Sequence, residues 1–407
     1  MIRPLKILHV FYDITRLSGY QIRSTNILAN QKRMGLQVAA VFLPIHMRNH
    51  LRIVLGDVPV VPPDIPNRLL NLLRLDSSIP PLGTVQRAVL RRLLRSHIGT
   101  LIGTMKPDLI HAHTAWMSAA QAFAAARAAK LPFLYEIRGI WEETNVAEQL
   151  DRKFGFRYWY FRLHENYLIR RADAIVTLSD GLKREMIARG LDANRVSVVP
   201  NGVDTETFVP LPRDQGLAES LGCGTRTVVG YVSSLRRIEG VAYLVEAMRK
   251  TDPRACAVVV GDGPEKAPLQ RLAQDLHMQD RIKFVGAVPH EDVRRYYSII
   301  DIFVVPRIKM KVCEIVTPLK PLEAMAMGKC LLMSDVQGLR ELASTGETAL
   351  FFEPENSNAL AATLNTLIGD EEMRHRIGEN ARRYVVEQRD WSRLVEGYMP
   401  VYHELAG

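Results

Sequence analysis

Short apolar runs alternate with longer stretches of helical period along most of the chain. Residues 7–11, 38–43, 109–110, 133–135 and 174–178 read as strands. Residues 23–34 and 116–129 read as amphipathic helices between them. A short run at 196–199 closes this series at Pro200-Asn201-Gly202. Residues 206–226, with Pro210, Pro212, Gly216, Gly222 and Gly224, read as a linker. The alternation then restarts. Strands are predicted at 228–232, 257–260, 282–285, 302–305 and 330–333, and helices at 241–250, 267–276, 290–297 and 322–327. Strands separated by helices are the mark of parallel α/β layers, so two doubly wound, Rossmann-like domains are expected. Their boundaries are set at 1–205 and 206–389. In such sheets ligands bind beyond the strand C-termini, so the two domains are expected to face a central cleft.

The length of 407 residues fits two or three domains. With 47% hydrophobic and 24% charged residues the composition is that of an ordinary globular chain, not a fibrous or disordered one. No apolar run approaches the roughly 18–20 residues of a spanning helix. The start lacks the shape of a signal peptide. Four scattered cysteines with no Cys-x-x-Cys argue against a disulfide framework or structural zinc. A cytoplasmic setting is therefore expected.

Charge changes the picture more. The formal net charge is +9, yet residues 1–106 alone carry 15 Lys+Arg against four Asp+Glu. That basic quarter suggests an anionic partner. Its irregular part, 46–104, reads as an insertion with prolines at 59, 62, 63, 66, 80 and 81, followed by a Leu/Arg helix over 85–98. Arg87, Arg91, Arg92 and Arg95 sit among its leucines. Such a helix can pack its leucines on its own domain, or lie on an anionic membrane surface. Nucleic acid is not expected, because no recognition module accompanies the charge.

Candidate chemistry gathers at strand ends. Gly261-Asp262-Gly263-Pro264 follows a strand and precedes a helix, but Lys266 stands where a dinucleotide fingerprint needs its third glycine. No Walker A sequence occurs. A glycine turn still lets backbone N–H groups approach a phosphate. In Asp108-Leu109-Ile110-His111-Ala112-His113 the period of two places both histidines on one face, with His113 expected to emerge near the strand end. A metal is not expected there, since no third ligand stands at a convincing spacing. In Thr317 to Gly328, Pro321 suits a first helical turn and Glu323 lies in that turn. A carboxylate there can accept ribose hydroxyls or simply stabilise the helix dipole.

Taken in order, these segments resemble a family. D-x-x-H-x-H, Ala172 to Ser179, Pro200-Asn201-Gly202-Val203-Asp204, G-D-G-P, Phe284-Val285-Gly286 and Glu323-Ala324-Met325-Ala326 together are similar to a retaining GT-B glycosyltransferase of family 4. Ser18-Gly19-Tyr20 and the run from Tyr135 to Trp141 further resemble a bacterial exopolysaccharide-associated branch. The resemblance implies a nucleotide-diphosphate sugar held mainly by the C-terminal domain and a glycan or lipid-linked acceptor held mainly by the N-terminal one. It implies no metal and no cofactor beyond the donor. It also implies that the final segment, 390–407, crosses back onto the first domain, as the pattern of Trp391, Leu394, Val395, Tyr398, Val401 and Tyr402 allows.

The sequence departs from the family at three places, one of them Arg138 in Glu136-Ile137-Arg138-Gly139, where the family's usual His follows the strand. The first Glu of its E-x7-E motif falls on Ile315, with Glu314 one residue early. The loop Gly230 to Gly240 has Ser234 and Glu239 where the family's phosphate-binding Arg and Lys stand. Lys320, Arg236, Arg237 and Arg307 are the candidate replacements, because an uncompensated diphosphate would make a poor leaving group. The residues implied for the reaction are His113, Lys320 and Arg138. Those implied for the donor are Glu323, Leu319, Arg236, Arg237, Arg307, Gly261, Gly263, Val285, Gly286 and Glu314. Gly19, Tyr20, Glu136 and Trp141 are implied for the acceptor or sugar. The expected activity is retaining sugar transfer in surface polysaccharide synthesis, at the inner face of the membrane. An epimerase or phosphorylase on the same fold, or a non-catalytic sugar-nucleotide scaffold, are the alternatives.

Overall fold

The computed structural model describes residues 3–12, 18–42 and 80–407, without the side chains of 80–87 at the start of one helix. Residues 46–79 of the expected insertion therefore lie outside the described residues. The chain divides into two compact units. One comprises Met1–Glu142, Lys153–Pro200 and Trp391–Gly407, the other Glu143–Arg152 and Asn201–Asp390. Residues 143–152 thus belong with the second unit although they lie inside the sequence of the first.

The first unit holds a six-stranded parallel sheet in the order β2-β1-β3-β4-β5-β6. Its strands are β1 (Lys6–Phe11), β2 (Gln37–Phe42), β3 (Leu109–His113), β4 (Phe133–Ile137), β5 (Ala174–Thr177) and β6 (Val196–Val198). Four helices matter below: α1 (Gly19–Arg33), α2 (Pro80–Met105), α3 (Trp116–Ala129) and α4 (Phe156–Arg171). β3 and β4 are buried at every position, as a sheet covered on both faces requires. Their apolar starts, Leu109-Ile110 and Phe133-Leu134-Tyr135, are what reads as strand, while His111, His113 and Glu136 are polar groups in the same buried strands. The final segment, Trp391 to Ala406, returns to this unit as three short helical pieces with Trp391, Val395, Tyr398 and Tyr402 buried.

α2 contains the basic Leu/Arg stretch. Leu94 and Ile98 are buried, and the Arg91 guanidinium lies 5.3 Å from the Trp116 ring centroid on α3. These two apolar residues are turned inward onto the first unit, while Arg92 and Arg95 are exposed.

The second sheet runs β12-β11-β10-β7-β8-β9, again all parallel. Its strands are β7 (Thr227–Val232), β8 (Ala255–Val260), β9 (Ile282–Gly286), β10 (Ile302–Val305), β11 (Cys330–Ser334) and β12 (Leu350–Phe352). The expected linker is partly structured, since Gln215–Ser220 forms α5, capped by Asp214 accepting from Leu217 N–H at 2.9 Å. Two apolar clusters fill this unit, one on each face of the sheet.

Candidate functional site

The second sheet reverses its strand order between β7 and β10, the switch point where open α/β sheets take ligands. The loop leaving β7 and the residues leaving β10 meet there. Ile308 N–H donates to Ile238 O at 3.2 Å. Gly240, at φ +65°, is required by this contact, because a Cβ would sit 2.0 Å from Pro306 O. Glu239, at the position expected to be basic, faces a cation. Arg307 grips it through Nε at 3.2 Å and Nη2 at 2.9 Å and donates Nη1 to Val316 O at 3.1 Å. Burial alone would weaken the arginine's charge, but Glu239 outweighs that and keeps it protonated.

The G-D-G-P turn lies against the same loop. A Cβ on Gly261 would fall 1.8 Å from Ser233 O, and one on Gly263 would fall 2.3 Å from Leu235 O. Both also have positive φ, +144° and +157°. Only glycine lets the two backbones approach this closely. Gly261 N–H donates to Gly286 O at 2.8 Å, which ties in the Val285-Gly286 strand end. Lys266 Nζ bonds Asp262 at 3.0 Å in this turn.

α6 (Lys320–Ala326) begins after the buried Leu319, with Pro321 in its first turn. Glu323 is buried there and accepts from Lys320 Nζ at 2.7 Å and Tyr297 OH at 3.1 Å. Burial and the Glu323 carboxylate hold the Tyr297 phenol well above its ordinary value, so it stays a donor.

Leu319, Lys320 and Glu323 thus form one group. Gly261, Gly263, Val285 and Gly286 form a second, and Arg307 stands at the switch point. The other donor candidates are engaged elsewhere. Arg236 pairs with Glu148 at 2.9 Å, and Arg237 donates to Ala147 O at 3.3 Å, so both hold the 143–152 segment. Glu314 accepts from Gln337 N–H at 2.7 Å, at the start of α7 (Gln337–Arg340).

In the first unit the switch point falls between β1 and β3. Register places His9 beside His111, and His113 beside Glu136. His113 does not emerge at the strand end: it is fully buried and both its ring nitrogens are engaged. Arg138 Nη2 lies 2.8 Å from His113 Nδ1, and His113 Nε2 lies 3.0 Å from His9 Nδ1. His9 Nε2 lies 2.8 Å from Gln31 Oε1, and Gln31 Nε2 donates to Tyr402 OH at 2.7 Å. Tyr402 OH lies 2.8 Å from His111 Nδ1. His111 Nε2 faces Glu136 at 3.2 Å, obliquely enough that no aligned hydrogen bond forms. On the far side of that gap Arg138 Nε donates to Glu136 at 2.8 Å. Around this ring, open at the His111–Glu136 gap, every bond from Arg138 through His113, His9, Gln31 and Tyr402 to His111 runs donor to acceptor in one sense if each imidazole is neutral with its proton on Nε2.

The charges agree. Burial, the neighbouring His111 and the Arg138 cation hold His9 and His113 well below the ordinary imidazole value, and burial lowers His111 as well. Burial pushes Glu136 up, but Arg138 and Arg23 together outweigh it and hold the carboxyl well below the usual range. Arg23 Nε reaches Glu136 at 2.8 Å, and Tyr398 OH donates to its other oxygen at 2.7 Å. Arg138 also bonds Tyr20 O at 3.1 Å and Ser24 Oγ at 2.7 Å, and its guanidinium stacks 4.5 Å from the Tyr20 ring. Tyr20 therefore joins His113, Glu136 and Arg138. Gly19 is exposed at the start of α1, and Trp141 packs edge-on to Tyr12, 5.6 Å between centroids.

Sequence reasoning missed His9, Gln31 and Arg23. His9 sits mid-strand in an apolar run, and the useful signal was its polar character at a position where both faces are covered. His9, His111 and His113 do form a trio whose ligand atoms lie within 4.8 Å of one another. Two guanidiniums beside it, and hydrogen bonds at five of the six ring nitrogens, fit neutral imidazoles better than a bound cation.

Two Rossmann-like units, each with polar groups gathered at the switch point of its sheet, define an α/β protein of the GT-B fold. Residues 218–384 match the family described as glycosyl transferases group 1, and residues 18–202 match the glycosyl transferase 4-like domain. The chain belongs to the group 1 glycosyltransferases of GT-B fold. It is 28% identical to alpha-maltose-1-phosphate synthase of Mycolicibacterium smegmatis over 64% of this chain and 69% of that one. It is 26% identical to N-acetyl-alpha-D-glucosaminyl L-malate synthase of Bacillus anthracis over 58% and 61%. Among solved structures, HepE of Anabaena in complex with UDP superposes with a TM-score of 0.77 at 21% identity, covering 98% of this chain and 100% of that one. Sucrose-phosphate synthase of Thermosynechococcus elongatus gives 0.78 at 20% identity, covering 98% and 99%.

Proposed function

We propose that the protein is a retaining, metal-independent glycosyltransferase. It moves a sugar from a nucleoside-diphosphate donor to a glycan or lipid-linked acceptor, in surface polysaccharide synthesis at the cytoplasmic side of the membrane. The observation that carries the reading is the Lys320–Glu323–Tyr297 group at the first turn of α6, in the unit that matches the group 1 family. Glu323 is oriented to accept donor ribose hydroxyls. Lys320, about a quarter exposed on the same turn, leans from Glu323 to the diphosphate as negative charge develops on the leaving group. The bond from the anomeric carbon to phosphate breaks, the acceptor oxygen bonds to that carbon on the same face, and the departing phosphate takes the acceptor's proton. The chain supplies alignment and charge rather than a nucleophile. The first unit's Arg138, fixed by Glu136, serves the sugar or acceptor side, and buried His113 acts on it as a positioning residue.

One observation favours a second reading, a non-catalytic sugar-nucleotide scaffold: Arg236 and Arg307, candidates to hold the diphosphate, are already paired with Glu148 and Glu239. Calorimetry with a panel of nucleoside diphosphates, followed by donor-hydrolysis and transfer assays, tests both. Glu323→Ala is expected to weaken nucleotide binding by about 1.5–3 kcal/mol. Lys320→Ala is expected to slow turnover at least roughly tenfold, about 1.4 kcal/mol in the barrier. Unchanged affinity in Glu323→Ala removes it from the site. Binding without hydrolysis or transfer favours the scaffold, and an inverted product anomer or loss of activity on chelation overturns the retaining, metal-free mechanism.

A further inference from the structure

α4 is apolar on two opposite sides. Tyr158, Leu168 and Ile169 pack into the first unit. Phe156, Trp159, Tyr160, Leu163 and Tyr167 follow the spacing i, i+3, i+4, i+7 and i+11, which places them in one stripe on the opposite side. That stripe is bare. Phe156 is 85% exposed, Leu163 61%, Tyr167 51% and Trp159 44%. Just before the helix, Phe154 is 61% exposed and stacks on Trp159 at 6.1 Å. An apolar helix face normally seeks cover, and a contiguous exposed patch of this kind marks an interaction surface.

Charge selects the cover. Residues 153–171 carry Lys153, Arg157, Arg162, Arg170 and Arg171 against one acid, Glu165. That acid is buried and accepts from Tyr135 OH at 2.5 Å. Arg171 lies 3.9 Å over the Tyr167 ring, and Lys153 lies 5.5 Å from the Phe154 ring. Cations therefore flank the aromatic stripe at both ends, with no exposed carboxylate along it. Aromatic rings with apolar bodies and polar tips suit the depth of lipid headgroups, and the cations suit their phosphates. No helix among the described residues is long and apolar enough to cross a membrane, so contact would be from one side.

We propose that the outer face of α4 is a docking surface for an anionic lipid bilayer, with the aromatic stripe inserted at headgroup level and Lys153, Arg170 and Arg171 on the phosphates. This moves the membrane-facing element from the basic helix α2, where Leu94 and Ile98 are packed inward, to a helix of lower net charge but bare aromatic side chains. The inference stands apart from the transferase reading, since nucleoside-diphosphate binding belongs to the second unit.

Co-sedimentation and tryptophan emission with the full chain test it. Vesicles of equal parts phosphatidylglycerol and phosphatidylcholine are compared with pure phosphatidylcholine, at low and high salt. Binding is expected only to the anionic vesicles and to fall with salt. It is expected to shift emission to the blue in the parent chain but much less in Trp159→Phe. Replacing Lys153, Arg170 and Arg171 by Gln should weaken binding about fivefold per charge. Phe156→Ser with Leu163→Ser should weaken it at least roughly tenfold. These side chains are exposed, so circular dichroism and nucleoside-diphosphate affinity should not change. Equal binding to both vesicle types overturns the proposal, as does loss of binding only when Arg92 and Arg95 are replaced. Absence of binding together with self-association abolished by Phe156→Ser also overturns it, and makes the face an interface between copies.

Discussion

The hydrogen-bonded ring of the first unit makes a quantitative prediction about acid. Each of His9 and His113 accepts a hydrogen bond on Nδ1 from a fixed donor, His113 Nε2 and Arg138 respectively. A proton added to either Nδ1 would place donor against donor inside the core. His111 is more forgiving, because the Tyr402 hydroxyl can rotate to accept from it. This agrees with the weaker depression of its pKa. The unfolded chain, in contrast, protonates its histidines near 6.5. The stabilising preference for neutral imidazole is therefore intact above about pH 6.5 and is lost as pH falls below it, by about 1.4 kcal/mol per group per pH unit. Between about pH 7.5 and about 5.5 the three histidines together withdraw roughly 3–4 kcal/mol. Glu165 works in the opposite sense. Burial raises its pKa to about 7, so the fold takes up a proton there that the unfolded chain does not. Its return is similar to one histidine or slightly larger, leaving a net loss of roughly 2 kcal/mol. Urea unfolding followed by tryptophan emission reads this unit, because Trp116, Trp141, Trp159 and Trp391 all belong to it. The stability lost over this interval should roughly double in Glu165→Gln, where the compensation is gone. A midpoint that does not move between these pH values in Glu165→Gln would refute the neutral ring.

Two further outcomes follow from the same geometry. Tyr402→Phe leaves Gln31 Nε2 and His111 Nδ1 without their shared hydroxyl and should cost about 1–3 kcal/mol, read as a lower urea midpoint at unchanged slope. In the second unit, Arg307→Leu leaves Glu239 buried and unpaired and should cost about 3–5 kcal/mol, measured by circular dichroism, whereas Arg307→Leu with Glu239→Leu should recover most of it. A double variant no more stable than the single one would show that the pair's value lies in its other contacts.

The fold was legible because parallel strands covered on both faces carry apolar runs, unbroken in β8 and β10 and interrupted only by the buried histidines in β1 and β3. β12 escaped because Leu350 and Phe351 are only half-buried at the sheet edge, so its run is short and weakly apolar. α5 escaped because it is only six residues long, holds Gly216 inside it and has prolines and glycines on both sides, a composition that reads as a linker. α4 left no helical signal of its own. With apolar residues both under it and over it, no single polar face marks its period, and the same property now singles it out as a surface.

The site was less legible, because charge compensation acts across distances that spacing does not encode. Glu239 reads as a lost cation until Arg307, 68 residues later, is seen to lie against it. The net charge of that pair is zero, as is that of Lys320 with Glu323. A diphosphate arriving beside these pairs would have to draw a cation away from a carboxylate. The two differ in how readily they yield. Arg307 is buried and held by two bonds to Glu239 and one to a backbone carbonyl, so releasing it would leave a carboxylate unpaired in the core. Lys320 makes one side-chain bond and is about a quarter exposed, and when its ammonium leaves, Glu323 keeps the hydrogen bond from Tyr297 OH. That asymmetry is the physical reason for assigning the developing phosphate charge to Lys320. It also makes Arg307 a strut that fixes the loop between β7 and Gly240 against the end of β10.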